Sequence, residues 1–194
     1  MSFEENSKHP KKTGWIEVIT GSMFSGKTEE LIRRIKRAKI ANQKIELFKP
    51  KMEKRYGETD VISHDASSLH SYPVLSSLNI LLLANEADVV GIDEAQFFDM
   101  GLVEVSNQLA NEGKRVIIAG LDMDFKGLPF GPIPNLMAIA EYVTKVQAIC
   151  TKCGNLAAYS HRKSNKDTQI VLGEMDIYEP LCRSCFLQAK SPTK

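Results

Sequence analysis

The octet Gly21-Ser22-Met23-Phe24-Ser25-Gly26-Lys27-Thr28 constrains this chain more than any other stretch, because it fits G-x-x-x-x-G-K-[ST]. Its glycines let the backbone turn tightly, so that successive N–H groups point into one concavity suited to phosphate oxygens. Lys27 offers a point charge to the β and γ phosphates, and the Thr28 hydroxyl a ligand to Mg²⁺. A bare octet also occurs as an ordinary glycine-rich turn. Here Trp15 to Thr20 reads as an apolar strand before it, and Lys27 to Ala41 as a helix after it, with Leu31, Ile32, Ile35 and Ala38 on one stripe. That helix brings its positive dipole end to the same place. Strand, loop and helix together read as a site for ATP.

The rest of the chain alternates strand and helix. Ile45 to Phe48 reads as a strand stopped by Pro50. From Lys51 to Ser71 no period is clear, so the segment is either a disordered insert or a mobile flap beside the phosphates. Lys54, Arg55, His64 and Asp65 are its candidates for touching a ligand. Leu75 to Asn85 suits a short helix, and Asp88 to Ile92 a buried strand that ends in Asp93-Glu94-Ala95-Gln96. Acidic residues at the carboxyl end of such a strand sit where a phosphate-loop protein holds its metal. Adjacent carboxylates allow a division of labour, with Asp93 toward the metal and Glu94 toward a substrate proton. The other reading is two carboxylates at a helix start.

Gly101 to Glu112 gives a third helix and Arg115 to Ala119 a fourth strand. A glycine- and proline-rich loop carrying Phe125 and Phe130 follows, and apolar side chains there suggest a pocket for a flat apolar group. A helix from Leu136 to Ala140 and a strand from Val143 to Ala148 complete the layer. This alternation argues an α/β fold with a mostly parallel sheet covered on both faces.

The last fifty residues differ. Cys150 with Cys153, and Cys182 with Cys185, form two CxxC pairs with 28 residues between them. Each pair can clamp two corners of a tetrahedron, and four thiolates suit a closed structural Zn²⁺ site. Redox chemistry of the thioredoxin kind uses one CxxC at a helix start, not two separated pairs. Between the pairs, Leu156 to Arg162 and Gln169 to Leu172 read as strands, with a loop from Gly173 to Glu179 after them.

Taken in order, GSMFSGKTEE, VVGIDEAQFF, GLDMDFKGLPFGP and the paired CxxC motifs resemble the zinc-containing cytosolic thymidine kinases, across about residues 15–185. The resemblance implies transfer of the γ-phosphoryl of ATP to the 5′-hydroxyl of thymidine, in nucleotide salvage. It implies a flexible tail over residues 1–14, a P-loop NTPase-like domain over 15–148, a small zinc-binding lasso domain over 149–187, and a second tail over 188–194. It also implies a homotetramer. By position, Gly21 to Thr28 and Asp93 to Gln96 match the nucleotide and metal site, Glu94 the general base, and Arg55 a phosphate contact from the flap. Phe125 matches an aromatic of the nucleoside pocket, with Met23 and Leu121 as neighbours; Gln169, Ile170, Val171, Leu172, Gly173 and Tyr178 fall in the lasso. Cys150, Cys153, Cys182 and Cys185 match the zinc ligands. Ser22 occupies a position of the motif where any residue is tolerated.

Charge and composition narrow the rivals. A formal net charge of +1 gives no global attraction to nucleic acid, and the basic face of the first helix reads as solvated. That weakens a DNA-directed ATPase carrying a zinc ribbon, which also leaves the phenylalanine loop unexplained. A nucleotide-binding regulator without turnover leaves Asp93-Glu94 unexplained. No apolar run is long enough for a membrane helix, and the polar start MSFEENSKHPKK lacks the apolar core of a signal peptide, so a cytoplasmic enzyme is expected.

Overall fold

In the computed structural model, residues 13–51, 60–62, 68–163 and 177–190 are described. The first strand, β1 (Trp15–Thr20), is buried from Ile16 onward, as its near-continuous apolar run requires. The phosphate-loop octet leads into α1 (Lys27–Ile40), whose Leu31, Ile32, Ile35 and Ala38 are buried. Glu29 and Glu30 lie in its first turn and Arg37 and Lys39 in its last, the order the helix dipole favours. A helix of this length is marginal alone, so its stability rests on that stripe, at roughly 2 kcal/mol for each buried Leu or Ile.

The chain continues through β2 (Ile45–Pro50), β3 (Asp60–Ile62), β4 (Ser68–His70), β5 (Tyr72–Val74), α2 (Ser77–Leu83) and β6 (Val89–Ile92). Next come α3 (Leu102–Asn111), β7 (Arg115–Gly120), α4 (Ile133–Ile139) and β8 (Tyr142–Lys145). Six strands form one sheet in the order β5-β2-β6-β7-β1-β8, and every pairing in it is parallel. One face packs Ile19, Leu47, Val89, Ile117 and Ala119 against α1. The other packs Ile16, Val18, Val90, Ile92, Val116 and Ile118 against α2, α3 and α4. With all strands parallel, the octet after β1, Asp93 after β6 and Leu121 after β7 emerge on the same edge.

One polar knot lies inside the α1 face. Glu17 of β1 is 6% exposed and takes Arg34 at 2.7 Å, Arg115 at 2.6 Å and the indole N–H of Trp15 at 2.7 Å. Burial alone would push its carboxyl up, but Arg115, Trp15 and Arg34 together hold it below the usual range. A carboxyl with a lowered native pKa contributes stability that is complete above its unfolded value and drains as acid approaches the native one. Glu17→Ala is therefore expected to cost on the order of 3 kcal/mol near neutrality. The loss relative to wild type should shrink below the ordinary carboxyl pKa of 4.5. Urea titrations followed by circular dichroism at both pH values check this.

A smaller unit closes the chain: β9 (Ala148–Ile149), β10 (Leu156–Ala157), β11 (Tyr159–Arg162), β12 (Tyr178–Leu181) and α5 (Arg183–Lys190). Antiparallel pairs β9–β10 and β11–β12 surround a core of Ala148, Cys150, Ala157, Tyr159, Leu181 and Phe186.

Several boundaries differ from the sequence reading. β2 runs through Pro50, because its pairing with β6 ends at Phe48 and the missing proline N–H falls beyond that ladder. The stretch read as patternless contains β3 and β4, which pair with each other, and β5, directly after it, adds an edge strand to β2. α4 begins at Ile133 rather than Leu136, since a first-turn Pro134 loses no helical hydrogen bond. The expected strand over Val143–Ala148 ends at Lys145, and that over Leu156–Arg162 breaks at Ala158 into two strands with different partners. Tyr178 and Glu179 open β12 instead of closing a loop, and α5 continues to Lys190, into the expected second tail. At the other end, the Gly14 N–H donates to the Ala110 carbonyl, which fastens the end of the expected first tail to α3. The expected strand over Gln169–Leu172 lies outside the described residues.

Candidate functional site

The octet folds into a tight arch between β1 and α1. Gly21 has φ 149°, and a Cβ there would lie 2.1 Å from the Val146 carbonyl, so only glycine fits against that strand end. Phe24 (φ 62°) and Gly26 (φ 84°) both adopt the left-handed conformation around Ser25, the backbone pattern that turns amides into one concavity. The Ser25 hydroxyl donates to the Ser22 carbonyl at 2.7 Å, and the Lys27 ammonium donates to the same oxygen at 2.7 Å. Desolvation lowers the Lys27 pKa, opposed by the charges of Glu94, Asp93 and Asp122.

Across the sheet edge, Asp93 is 6% exposed and its Oδ2 accepts from the Thr28 hydroxyl at 3.2 Å. Burial, and then the Glu94 charge, push its carboxyl up to about 7. A buried carboxylate beside a phosphate-loop hydroxyl is an oxygen pair suited to Mg²⁺, whose divalent charge would oppose that shift. Glu94 is exposed, with φ 51° turning its side chain out of the buried strand. Its carboxylate accepts from the Gln96 amide at 2.6 Å, while the Gln96 carbonyl accepts from the Leu121 N–H at 2.9 Å. Gln96 is 2% exposed and so ties the end of β6 to the end of β7. Gly131 (φ 54°) lets the loop after β7 fold back onto the Gln96 backbone, where a Cβ would lie 2.2 Å from its carbonyl oxygen. Ala95 is buried in the main core beneath them.

That loop carries the half-buried Phe125, covered on one face by the Arg162 guanidinium 3.5 Å from the ring centroid. Met23 and Leu121 are also half-buried. Phe130 packs edge-on against Phe97 at 5.6 Å. Asp122, 7% exposed, pairs with Lys145 at the end of β8 at 2.5 Å.

The four cysteines converge, with their sulfurs all within 4.8 Å of one another. A tetrahedral zinc with bonds of about 2.3 Å needs sulfurs about 3.8 Å apart, so the cluster fits the ion with only small adjustment. Cys153 and Cys182 are already 3.6 Å apart, and Asn155 Nδ2 and the Cys185 N–H donate to thiol sulfurs. Burial raises Cys150, but N–H groups of Cys182, Lys152 and Cys153 carry it down to about 6, while hydrogen bonds with Cys153 and Cys182 push Cys185 up to about 12.

The four-cysteine unit also grips the phosphate loop. The Ser22 hydroxyl donates to the Ala157 carbonyl at 3.3 Å, and the Met23 N–H donates to the Ser160 hydroxyl at 2.9 Å. Ser22 is 2% exposed and committed to that contact, so its position is less permissive than the motif suggests. Sequence reasoning missed Ser160, Arg162 and the Asp122–Lys145 pair. Alternation in β11 was the one signal available for the first two. Tyr178 is a buried strand residue opposite Arg162 rather than a loop residue. Lys54, Arg55, His64, Asp65 and Gln169 to Gly173 lie outside the described residues.

Comparison with known proteins bears on this arrangement. The thymidine kinase family model matches residues 14–186. A thymidine kinase of Bacteroides fragilis is 63% identical over 186 residues, covering 96% of this chain and 94% of its own. One of Porphyromonas gingivalis is 59% identical over 194 residues, covering 99% and 95%. One of a Rhodothermus species is 61% identical over 186 residues, covering 96% and 87%. With a phosphate loop, an acidic strand end, an aromatic loop and a four-cysteine cluster on one frame, this chain belongs to the thymidine kinase family.

Proposed function

We propose that the protein transfers the γ-phosphoryl of ATP to the 5′-hydroxyl of thymidine, giving thymidine 5′-monophosphate and ADP. The observation that carries this reading is the exposed Glu94 carboxylate, held by Gln96 beside the phosphate loop and joined through it to the loop bearing Phe125. The octet amides and Lys27 cradle the triphosphate, Ser22 to Ser25 shaping the arch, and Ala95 and Gln96 fix the acidic turn. The 5′-hydroxyl gives its proton to Glu94 as its oxygen bonds to the γ phosphorus, and the bond from that phosphorus to the β-phosphate oxygen breaks. Thr28 and Asp93 would hold magnesium, which would supply charge neutralisation at the phosphates. Positioning and charge stabilisation dominate, because the transition state is loose.

Phe125, with Met23 and Leu121, lines the base pocket, and Gln169 to Gly173 with Tyr178 supply the lasso side; Arg55 adds a phosphate contact. Cys150, Cys153, Cys182 and Cys185 would hold zinc, which would supply a structural tie rather than a Lewis acid. The family reading further supports a homotetramer working in the cytoplasm. No helix among the described residues is long and apolar enough to cross a membrane.

Gln96→Leu removes the amide that orients Glu94 and leaves the Leu121 N–H without its acceptor. It is expected to lower kcat about tenfold with little change in ATP affinity, and to cost roughly 2 kcal/mol of stability. Steady-state rates and urea midpoints read the two effects. The function itself is tested by incubating the protein with ATP, Mg²⁺ and each deoxynucleoside in turn and separating the products by chromatography. A monophosphate from thymidine supports the reading; ATP hydrolysis stimulated by DNA and by no nucleoside points to the ribbon ATPase instead.

A further inference from the structure

β11 is a two-faced strand. Tyr159 stacks on Phe186 of α5 with centroids 4.4 Å apart, and His161 meets the same ring edge-on at 6.3 Å. Because side chains alternate along a strand, Ser160 and Arg162 face the other way, into the α/β domain. There Ser160 takes the Met23 N–H and Arg162 covers Phe125. Arg162 is 7% exposed, which is a costly place for a guanidinium unless its plane is used. The planar cation at 3.5 Å from the centroid covers the ring and fixes its tilt, with the Lys126 ammonium a looser neighbour at 5.5 Å, and the ring stays only half-buried, so part of it is open to a flat partner.

We propose that Arg162 is a positioning residue for the nucleoside: it orients the Phe125 ring against which the substrate's base packs, and acts on the base only through that ring. The inference rests on the assignment of Phe125 to the base pocket. It concerns the acceptor, since Arg162 covers the ring of Phe125 while the triphosphate is assigned to the octet. The strand thereby delivers one residue to each half of the site, Ser160 to the donor loop and Arg162 to the acceptor pocket, from a unit tied by the cysteines.

The test compares Arg162→Met, Arg162→Lys, Phe125→Leu and the Arg162→Met/Phe125→Leu double variant with wild type, measuring KM for thymidine and for ATP, kcat, zinc content and melting temperature. Arg162→Met is expected to raise the thymidine KM about tenfold, with the ATP KM, kcat and zinc content little changed. Arg162→Lys should not rescue it, because lysine keeps the charge and loses the plane. Phe125→Leu should raise the same KM, and adding Arg162→Met to it should do little more. A thymidine KM unchanged in Arg162→Met but raised in Phe125→Leu overturns the positioning role and leaves the pocket standing. A KM unchanged in Phe125→Leu overturns the pocket assignment and this inference with it. Rescue by lysine, or equal rises in both KM values with a fall in melting temperature, shows that Arg162 only fastens the zinc unit to the core.

Discussion

Glu94→Gln is expected to lose kcat by on the order of 10² to 10⁴-fold, the range for a general base, while ATP binding survives. The amide is close to the carboxylate in size and can adopt the same turn at φ 51°, so the acidic strand end keeps its shape. Asp93 and Thr28 are untouched, and so are the octet amides and Lys27, which is why the donor half should bind as before. What disappears is the acceptor for the 5′-hydroxyl proton. The thymidine KM should move little, since a hydrogen bond from the hydroxyl to the amide oxygen remains possible. Steady-state rates, with ATP affinity measured by titration calorimetry, separate the two effects. Near-normal turnover in this variant would remove Glu94 from the role of base.

Cys182→Ser is expected to lose the bound zinc, part of the fold and thymidine affinity together. Cys182 follows β12 directly and begins the turn into α5, so its sulfur ties the β11–β12 pair to the Cys150–Cys153 knuckle. A serine hydroxyl is not deprotonated at neutral pH and is a poor substitute for a thiolate. The core around it is small, built on Ala148, Ala157, Tyr159, Leu181 and Phe186, and cannot hold the unit by apolar burial alone. Losing about 3 kcal/mol from a chain of this size lowers the melting temperature by roughly 10 °C. Because Ala157 and Ser160 hold Ser22 and Met23, the ATP KM should rise as well, though less than the thymidine KM. Elemental analysis showing stoichiometric zinc in this variant would refute the ligand assignment.

How much of this was legible in the chain follows from how local each signal is. The octet announces itself because strand, glycine turn and helix start are contiguous, and the CxxC pairs because metal geometry fixes their spacing. Asp93 and Glu94 were readable as the end of a buried apolar strand. Gln96 was placed with the nucleotide site, but its bridge from Glu94 to the Leu121 N–H spans two strands and leaves no mark on either segment. The grip of Ser160 on Met23 links residues 137 apart through one hydroxyl and one amide, groups that any stretch of chain carries. Arg162 was read only as the end of an expected strand, and its place on the inner face of β11 is what buries it over Phe125. Pro50 misled for a different reason, since proline forbids a ladder interior but is tolerated at an edge.

The central claim is phosphoryl transfer to the 5′ oxygen of a nucleoside, and substrate deletion tests it most directly. ADP formation is measured with ATP and Mg²⁺ alone, with thymidine, and with 5′-deoxythymidine, which lacks the accepting hydroxyl, while phosphorus NMR identifies the product. The account predicts one ADP per thymidine 5′-monophosphate formed, and near-background ADP in the other two reactions. Equal ADP formation in all three, or a phosphate on the 3′ oxygen, would contradict it.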